Sequence, residues 1–172
     1  PEYKNKGVTY CAICDGPIFT GKNVVVIGGG DSALEAVDFL TKIAKKITIL
    51  NLTDKFKAHE YLQEKIKKNK KITVINNATT TEIYGDQFVK GIKYNQNGKT
   101  KDLKVGGVFV EIGRIPNTDF TKGFLKRDNH NHIKINAHTE TSVPGIFSAG
   151  DCSSVHEYQY VIAAGQGCTA LI

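Results

Sequence analysis

The chain has 172 residues, 40% of them apolar, with 17 Gly, 4 Pro and a formal net charge of +6. This composition is typical of an ordinary globular protein and excludes a disordered or collagen-like chain. Since no apolar run approaches the ~20 residues that cross a bilayer, we expect neither a membrane span nor a retained signal peptide.

The positive charge comes from lysine, because Arg114 and Arg127 are the only arginines among the 23 basic residues. Nucleic-acid-binding proteins rely on arginine for contacts to bases and phosphates, so we expect no nucleic-acid partner. The lysine-rich segment 65–71 is predicted to be a solvated helix end, with contact to an acidic partner as the alternative. Four cysteines are too few for a disulfide-stapled secreted scaffold, which favours the cytoplasm.

The first predicted elements form a βαβ unit. Val24–Ile27 is a β-branched run typical of a strand buried on both faces, and Ile47–Leu50 is a second one. Between them, the apolar residues from Asp31 to Leu40 follow helical spacing, so a right-handed crossover is expected.

The middle of the chain predicts one more helix, further strands and a β-meander. The helix runs around residues 59–68, with Tyr61, Leu62 and Ile66 on one face. The strands are expected at Ile72–Ile75, Thr80–Tyr84, Phe88–Tyr94, Lys101–Lys104 and Val108–Ile112, with turns at 85–86 and 97–98.

The composition changes after Gly113. Ile133–Ile135 and Ile146–Ala149 are predicted short strands, and an apolar helical stretch runs from Tyr160 to the end. These elements are too few to bury a core alone, and both ends of the sequence look cut, so we expect a fragment. The predicted fold class is α/β: a Rossmann-like nucleotide-binding domain, with a parallel sheet, helices and a β-meander, followed by part of a second domain. The boundary is expected near residues 114–119.

The turn Gly28-x-Gly30-x-x-Ala33 lies where a dinucleotide fingerprint lies, after a buried strand and before a helix. The first glycine permits the tight turn, the second lets the backbone approach a pyrophosphate, and the small third residue lets helix and strand pack closely. Backbone N–H groups at the helix start, around Asp31 and Ser32, would then hold the phosphates. A tight structural turn without a ligand is the alternative.

The end of the second strand indicates which nicotinamide nucleotide binds. An acidic side chain there binds ribose hydroxyls, and basic neighbours bind a 2′-phosphate. Asn51 occupies this position and brings no charge. We therefore favour NADH, while Lys55 or Lys57 leaves NADPH open.

Cys11 and Cys14 are separated by two residues, a spacing that can close a small redox-active disulfide. Asp15 follows directly and is placed to give or take the proton that thiol exchange moves. A zinc site needs a second close pair of ligands, which Cys152 and Cys168 do not form, so no metal site is expected. The other alternative is an inert cysteine pair with Asp15 as a helix cap or turn former.

Two further features carry less information. The segment Gly145–Asp151 predicts a strand that delivers Asp151 at its carboxyl end, where open α/β sheets bind ligands, with a plain turn as the alternative. The histidines show no metal-ligand spacing and are predicted to be surface residues: His59, His130, His132, His138 and His156.

The motifs, in chain order, are Cys11-Ala-Ile-Cys14-Asp-Gly, Gly28–Ala33, Gly113–Thr118, Ala149–Asp151, and Gln159 with Ala163–Gly167. Together they resemble the low-molecular-weight thioredoxin reductase family, and the resemblance covers essentially the whole chain. The stretch from Asn51 to Gln63 is more similar to the flavoprotein subunit of alkyl hydroperoxide reductase, whose members use NADH.

This resemblance implies a flavin-dependent disulfide reductase with a nicotinamide-nucleotide domain inserted into an FAD-binding domain. Residues 1–118 would be the NAD(P)H-binding domain and carry the dithiol. Residues 119–172 would be the C-terminal part of the split FAD-binding domain, whose first segment we expect to be missing from this sequence. Electrons would pass from NADH or NADPH through FAD to the Cys11–Cys14 disulfide, and on to a thioredoxin- or peroxiredoxin-type protein. The complete protein would be a homodimer.

The resemblance also implies roles for single residues. Cys14 would face the flavin, Cys11 would attack the partner disulfide, and Asp15 would donate or accept the proton. Asp151 would hold the ribityl–phosphate region of FAD and Gln159 its ring. The candidate cofactor-binding residues are Gly28, Gly30, Asp31, Ser32, Ala33, Asn51, Lys55, Gly113, Asp151 and Gln159.

Two alternatives to this function stay open. As a fragment, the chain is a binding module that holds a nicotinamide nucleotide without turnover. The other alternative is a relative of ferredoxin-type reductases with an idle cysteine pair.

Overall fold

In the computed structural model, which describes residues 2–155 and 158–172, the chain forms two units, Pro1–Gly113 and Arg114–Ile172. The strands are β1 (Val8–Thr9), β2 (Asn23–Ile27), β3 (Lys46–Leu50), β4 (Ile72–Ile75), β5 (Ala78–Gly85), β6 (Val89–Gln96), β7 (Lys99–Lys104) and β8 (Gly107–Val110). The helices are α1 (Ala12–Asp15), α2 (Asp31–Leu40), α3 (Glu60–Lys67) and α4 (Tyr160–Leu171), with 3₁₀ turns at Gly16–Phe19 and Asp119–Thr121. The division into two cofactor domains at residues 118 and 119 stays a prediction.

A parallel sheet with the strand order β1-β8-β2-β3-β4 forms the centre of the first unit. Both of its faces are covered, which explains why its strands are rich in β-branched residues. Val24 and Val26 pack with the residues of α2, whereas Val25 between them packs with those of β6, and all three are at most 1% exposed. This alternation follows from the two-residue repeat of a strand.

Helices α2 and α3 cover one face of this sheet. Leu34 and Val37 of α2 are fully buried there, and α3 contributes Leu62 and Ile66, spaced by four residues. The prediction that Tyr61 shares this face is wrong, because its side chain is 63% exposed. Adjacent residues of a helix point roughly 100° apart, so Tyr61 cannot follow Leu62 into the core.

The lysine-rich segment 65–71 makes contacts within the chain at the end of α3. Lys65 Nζ pairs with Asp38 on α2 at 2.7 Å. Lys71 Nζ donates to the carbonyl oxygen of Thr41 at 2.8 Å, directly after α2. A cation at that position satisfies a carbonyl that the helix itself leaves unpaired, and it interacts favourably with the negative end of the helix dipole.

The second face of the parallel sheet packs against the antiparallel sheet β5-β6-β7. Ile92 and Tyr94 of β6 join Val25 and Val108 in one buried cluster. The turn between β6 and β7 is the predicted one, with positive φ angles of 53° and 75° at Asn97 and Gly98. The α/β class, with a parallel sheet, helices and a β-meander, is therefore confirmed.

The structure differs from the sequence predictions at both ends of the chain. Strand β1 and helix α1 were not predicted, because two and four residues are too short to show a repeat. The strands expected at Ile133–Ile135 and Ile146–Ala149 are wrong: within the described part of the second unit, these segments form isolated bridges and no ladder. Helix α4 is present as predicted, and none of its residues is buried. Among the described residues, no helix combines the length and apolarity needed to cross a bilayer.

Candidate functional site

The candidate site residues of the first unit follow the carboxyl ends of its parallel strands. Cys11 comes after β1, Gly113 after β8, Gly28 after β2 and Asn51 after β3. Since these strands run in the same direction, the residues lie along one edge of the sheet. This is the edge at which open α/β sheets bind ligands.

The glycine turn between β2 and α2 is fixed by its neighbours. Gly28 has a φ of +142°, and a side chain there would collide with the carbonyl oxygen of Glu111. A side chain at Gly29 would collide with Oδ1 of Asn51, whereas a Cβ at Gly30 would meet nothing within 4 Å. The first two glycines are therefore required by packing, and the third borders open space through which a ligand can approach the backbone.

A cleft of about 560 Å³ opens beside this turn. It is lined by Ile27, Gly28, Gly29, Gly30, Asp31, Ser32, Leu50, Asn51, Leu52, Thr53, Lys57, Ala78, Thr79, Thr80, Glu111, Ile112 and Gly113. Six of the predicted cofactor-binding residues are in this lining, and Ala33 and Lys55 are not. Ala33 is fully buried beneath the turn, where a Cβ at Gly28 would be 3.1 Å from its own, so it has the packing role expected of the third position.

Asn51 lies in the cleft wall, but its amide is occupied by the protein. The side chain is 3% exposed, and Nδ2 donates to the carbonyl oxygen of Thr53 at 3.0 Å and to Oδ1 of Asn76 at 3.1 Å. These bonds hold together the loops that follow β3 and β4. Its contact with a ribose stays a prediction.

The basic residue of the cleft is Lys57. Its backbone N–H donates to the carbonyl oxygen of Gly29 at 2.8 Å, which ties it to the glycine turn. Lys55 is exposed outside the lining, and its carbonyl oxygen accepts from Thr53 Oγ1 at 2.7 Å. Spacing alone did not distinguish these lysines, because the loop after β3 has no repeat.

Thr79, Thr80 and Glu111 also line the cleft and were missed by sequence reasoning. The hydroxyl of Thr80 is buried with no hydrogen-bond partner among the described residues. Glu111 directly follows β8, which ends two residues before the predicted end at Ile112, so sequence reasoning placed Glu111 inside the strand.

Asp31, the first residue of α2, is paired with His59. Its Oδ1 accepts from the backbone N–H of His59 at 2.8 Å and lies 2.8 Å from His59 Nδ1. The backbone hydrogen bond, followed by the ring contact, lowers the pKa of Asp31 below its ordinary value. His59 was expected to be a plain surface residue, and although exposed it has a partner in the cleft wall.

Cys11 and Cys14 form a disulfide that spans α1, with a Cα–Cα distance of 5.3 Å. Cys11 is the residue preceding the helix, and its Sγ accepts from the backbone N–H of Cys14 at 3.2 Å. Ala12 is buried, and Ile13 is 75% exposed. Cys11 is half-buried and Cys14 is exposed, so the disulfide lies at the surface.

Asp15 is the last residue of this short helix, and its carboxylate accepts a hydrogen bond from Thr9 Oγ1. The same hydroxyl accepts from the backbone N–H of Cys11 at 3.2 Å. Thr9 and Asp15 both line an apolar cleft of about 460 Å³, whose rim includes the exposed Ile18 and Phe88. Asp15 thus follows Cys14 directly along the chain, and the Thr9 hydroxyl attaches its carboxylate to the sheet.

Asp151 and Gln159 belong to the second unit. The Asp151 carboxylate is exposed and lies 3.3 Å from the Arg114 guanidinium, at a cleft of about 250 Å³. The preceding Gly150 donates its N–H to Gln166 Oε1 of α4 at 2.6 Å, a contact that fixes the Asp151 turn. Gln159 is exposed at the start of α4.

The prediction that His132 is a surface residue is wrong. It is 4% exposed, its Nδ1 lies 3.2 Å from Oδ2 of Asp128, and its Nε2 lies 2.9 Å from the Tyr158 hydroxyl. Two polar neighbours on opposite sides of the ring explain how an imidazole is tolerated in this interior. His156 is outside the described residues.

Residues 2–167 match the family model described as pyridine nucleotide-disulphide oxidoreductase. The chain is 45% identical over 173 residues to an NADH dehydrogenase of Bacillus subtilis, covering 99% of this chain and 34% of that protein. It is 43% identical over 172 residues to an alkyl hydroperoxide reductase subunit of Escherichia coli, covering 98% of this chain and 33% of that protein. The chain thus spans about a third of the length of these relatives.

Solved structures show the same similarity. Thioredoxin reductase of Lactococcus lactis has a TM-score of 0.81 at 35% identity, with 98% of this chain and 57% of that chain covered. Thioredoxin reductase of Giardia duodenalis has a TM-score of 0.80 at 40% identity, with the same coverage of 98% and 57%. The resemblance inferred from the motifs is therefore confirmed.

Proposed function

Because the chain belongs to the pyridine nucleotide-disulphide oxidoreductase family, we propose that it is part of a flavin-dependent disulfide reductase driven by NADH or NADPH. The observation that carries the proposal is the shared edge of the parallel sheet. The Cys11–Cys14 disulfide follows β1 and the glycine turn follows β2, on either side of β8. A nucleotide-binding turn and an exchangeable disulfide are the two ends of such an electron path.

The cleft beside the glycine turn supports the binding of a nicotinamide nucleotide in this proposal. The open space at Gly30 lets a pyrophosphate reach the backbone, and the start of α2 offers N–H groups at Asp31 and Ser32. We propose NADH as the reductant, supported by the uncharged Asn51 after β3 and by the name of the Bacillus subtilis relative. Lys57 is the cleft residue whose charge would favour a 2′-phosphate.

The second unit offers part of a site for FAD. Arg114, a hydrogen-bond donor, and Asp151, an acceptor, lie at one exposed cleft. Such a pair suits the phosphates and the ribityl hydroxyls of FAD. FAD, when bound, supplies a two-electron relay between nicotinamide and disulfide. Asp151 would accept hydrogen bonds from the ribityl–phosphate region, and Gln159 at the start of α4 would contact the ring.

The dithiol carries the electrons to the partner. Reduction of the disulfide takes two electrons and two protons and leaves thiols at Cys11 and Cys14. The Cys11 thiolate would attack the partner disulfide, and Cys14 would then close the Cys11–Cys14 bond again, so that the partner leaves with two thiols. Asp15 would exchange the proton that each thiol loses or gains.

The partner in this proposal is a thioredoxin- or peroxiredoxin-type protein disulfide in the cytoplasm, and the complete protein is a homodimer. The names of the relatives, thioredoxin reductase and alkyl hydroperoxide reductase, support this class of partner. The disulfide lies at the surface beside the exposed Ile13, which supports exchange with a protein rather than with a buried group.

The test uses the complete protein under anaerobic conditions. We expect addition of NADH to produce two new thiols per chain, and NADPH to do so at higher concentration. A complete protein that oxidises NADH without gaining thiols would contradict the proposal and favour the alternative of an idle cysteine pair.

A second candidate function applies to the 172 residues alone and rests on their spanning about a third of the relatives. We propose that this chain binds NADH without turnover. The purified chain is expected to lack yellow flavin absorbance and to melt at a higher temperature with NADH, since a ligand of the folded state stabilises it. Reduction of a protein disulfide by this chain alone would contradict that expectation.

A further inference from the structure

We propose that Thr9 is a positioning residue of the dithiol centre: its hydroxyl holds the Asp15 carboxylate in place for proton exchange with the thiols of Cys11 and Cys14. This inference rests on the proposed function, because it assigns a role within the thiol–disulfide step. It does not depend on which nucleotide or which protein partner is used.

Thr9 belongs to the sheet and lies two residues before Cys11, the first residue of the dithiol. It is the last residue of β1, is paired in register with Phe109 of β8, and is 5% exposed. The sheet, and not the surface turn that follows, therefore fixes the backbone of Thr9 and with it the position of the hydroxyl. A group that forms a hydrogen bond with this hydroxyl is therefore restricted in its motion by the sheet.

Two hydrogen bonds fix the orientation of the Thr9 hydroxyl. Oγ1 accepts from the backbone N–H of Cys11 at 3.2 Å, and it donates to Oδ2 of Asp15. A hydroxyl has one hydrogen, so the bond accepted from Cys11 leaves that hydrogen for the carboxylate. Thr9 thus connects the residue at the beginning of α1 with the acid at its end.

This connection leaves one carboxylate oxygen of Asp15 available for proton exchange. Thr9 contacts Oδ2 of Asp15, and within the described part of the chain no hydrogen bond is made to Oδ1. Proton exchange is efficient only when the acid is held within reach of the group that it serves. A freely rotating carboxylate would spend less time in that orientation, and one bond to a fixed hydroxyl restricts the rotation.

A purely structural role for Thr9 is the competing explanation, since a β-branched residue suits a strand. Threonine, valine and serine separate the two roles. Thr9→Val keeps the shape and removes the hydroxyl, whereas Thr9→Ser keeps the hydroxyl and removes a methyl group. Thr48 on β3, which is also 5% exposed, offers the matched control Thr48→Val away from the dithiol.

The experiment measures turnover of a protein disulfide by the complete enzyme and, separately, the rate of flavin reduction by NADH. Thr9→Val is expected to slow disulfide turnover roughly tenfold or more, as expected for loss of a well-placed acid–base group. Flavin reduction should be unchanged, Thr9→Ser should stay within about twofold of the wild type, and Thr48→Val should resemble the wild type. Circular dichroism melting of each variant checks that the fold is kept.

A double-variant cycle tests whether Thr9 acts through Asp15. In an Asp15→Asn background, Thr9→Val is expected to cause little further loss of turnover, because the acid that it positions is gone. An equal loss in both backgrounds, a loss in Thr9→Ser as large as in Thr9→Val, or full turnover by Thr9→Val would each overturn the inference. Failure of the proposed function is distinguishable, since the wild type would then gain no thiols on addition of NADH.

Discussion

The glycine turn and the dithiol turn, which is the segment from Cys11 to Cys14, lie at the same edge of one sheet on either side of β8, yet they are built differently. At the glycine turn, side chains are excluded at Gly28 and Gly29 by Glu111 and Asn51. At the dithiol turn, Ile13 is 75% exposed and Cys14 is at the surface. In the proposed function, a nucleotide site made of backbone has to be rigid, whereas a disulfide that reacts with another protein has to be reachable. The comparison predicts that substitutions in the two turns affect different properties.

The largest expected effect is on the dithiol turn. Cys14→Ser or Cys11→Ser should lower disulfide turnover of the complete enzyme by roughly a thousandfold or more, as for loss of a nucleophile. Nucleotide affinity, measured by calorimetry, should change little, because no cleft-lining residue is altered. Cys168→Ser is the matched control, since Cys168 is an exposed free cysteine. Turnover that survives Cys11→Ser would restore the idle-pair alternative.

The same single substitutions also distinguish the roles of the two sulfurs. Incubated with an oxidised partner, reduced Cys14→Ser should accumulate a mixed disulfide through Cys11. Non-reducing gels followed by mass spectrometry identify the sulfur involved. Trapping through Cys14 in the Cys11→Ser variant, with none through Cys11, would reverse the two roles.

The next effect is on the glycine turn. Gly28→Val forces a β-branched side chain to a φ of +142° and into the Glu111 carbonyl. The free energy of unfolding should fall by about 3 kcal/mol or more, as measured by urea denaturation. Gly30→Ala is the matched variant: with nothing within 4 Å, it should keep the fold and weaken NADH binding. Similar stability losses in both variants would contradict the separate roles given to these glycines.

A smaller effect is expected for the lysines that follow β3. Lys57→Gln should weaken NADPH binding by roughly three- to tenfold and change NADH binding less, because a 2′-phosphate gains most from a nearby cation. Lys55→Gln should leave both affinities unchanged, since Lys55 lies outside the cleft lining. Calorimetric titration of both nucleotides measures this. An equal loss for NADH and NADPH would assign Lys57 to the pyrophosphate instead.

The smallest expected effect is the pH dependence of stability at the start of α2. Hydrogen bonds from His59 lower the pKa of Asp31, so its contribution is present above the ordinary carboxyl pKa and is lost as the pH falls through the lowered value. Urea denaturation between about pH 5 and pH 2 should therefore show a shallower pH dependence in Asp31→Asn than in the wild type. The exposed Asp54→Asn should keep the wild-type dependence. Identical curves for Asp31→Asn and the wild type would contradict the role of this pair.

The predictions from sequence succeeded where a requirement is local. Buried strands such as Val24–Ile27 show their β-branched composition directly, and the turn at Asn97 and Gly98 needs positive φ angles that these residues adopt easily. They failed where a segment is too short to show a pattern, as at β1, or where the angle between adjacent residues of a helix was overlooked, as for Tyr61 beside Leu62. The strands expected after residue 119 have favourable composition but form isolated bridges, because a strand depends on what lies beside it.

The sequence by itself determined the glycine turn and the cysteine pair, since each depends on residue types within a few positions of one another, and it determined the family through the order of such short motifs along the chain. Only the tertiary structure decided that Lys57 rather than Lys55 lines the cleft, that the Asn51 amide is occupied by Asn76, and that Thr9 reaches Asp15. The physical reason is range: backbone conformation is set by adjacent residues, whereas the partner of a side chain depends on how distant segments pack against the sheet.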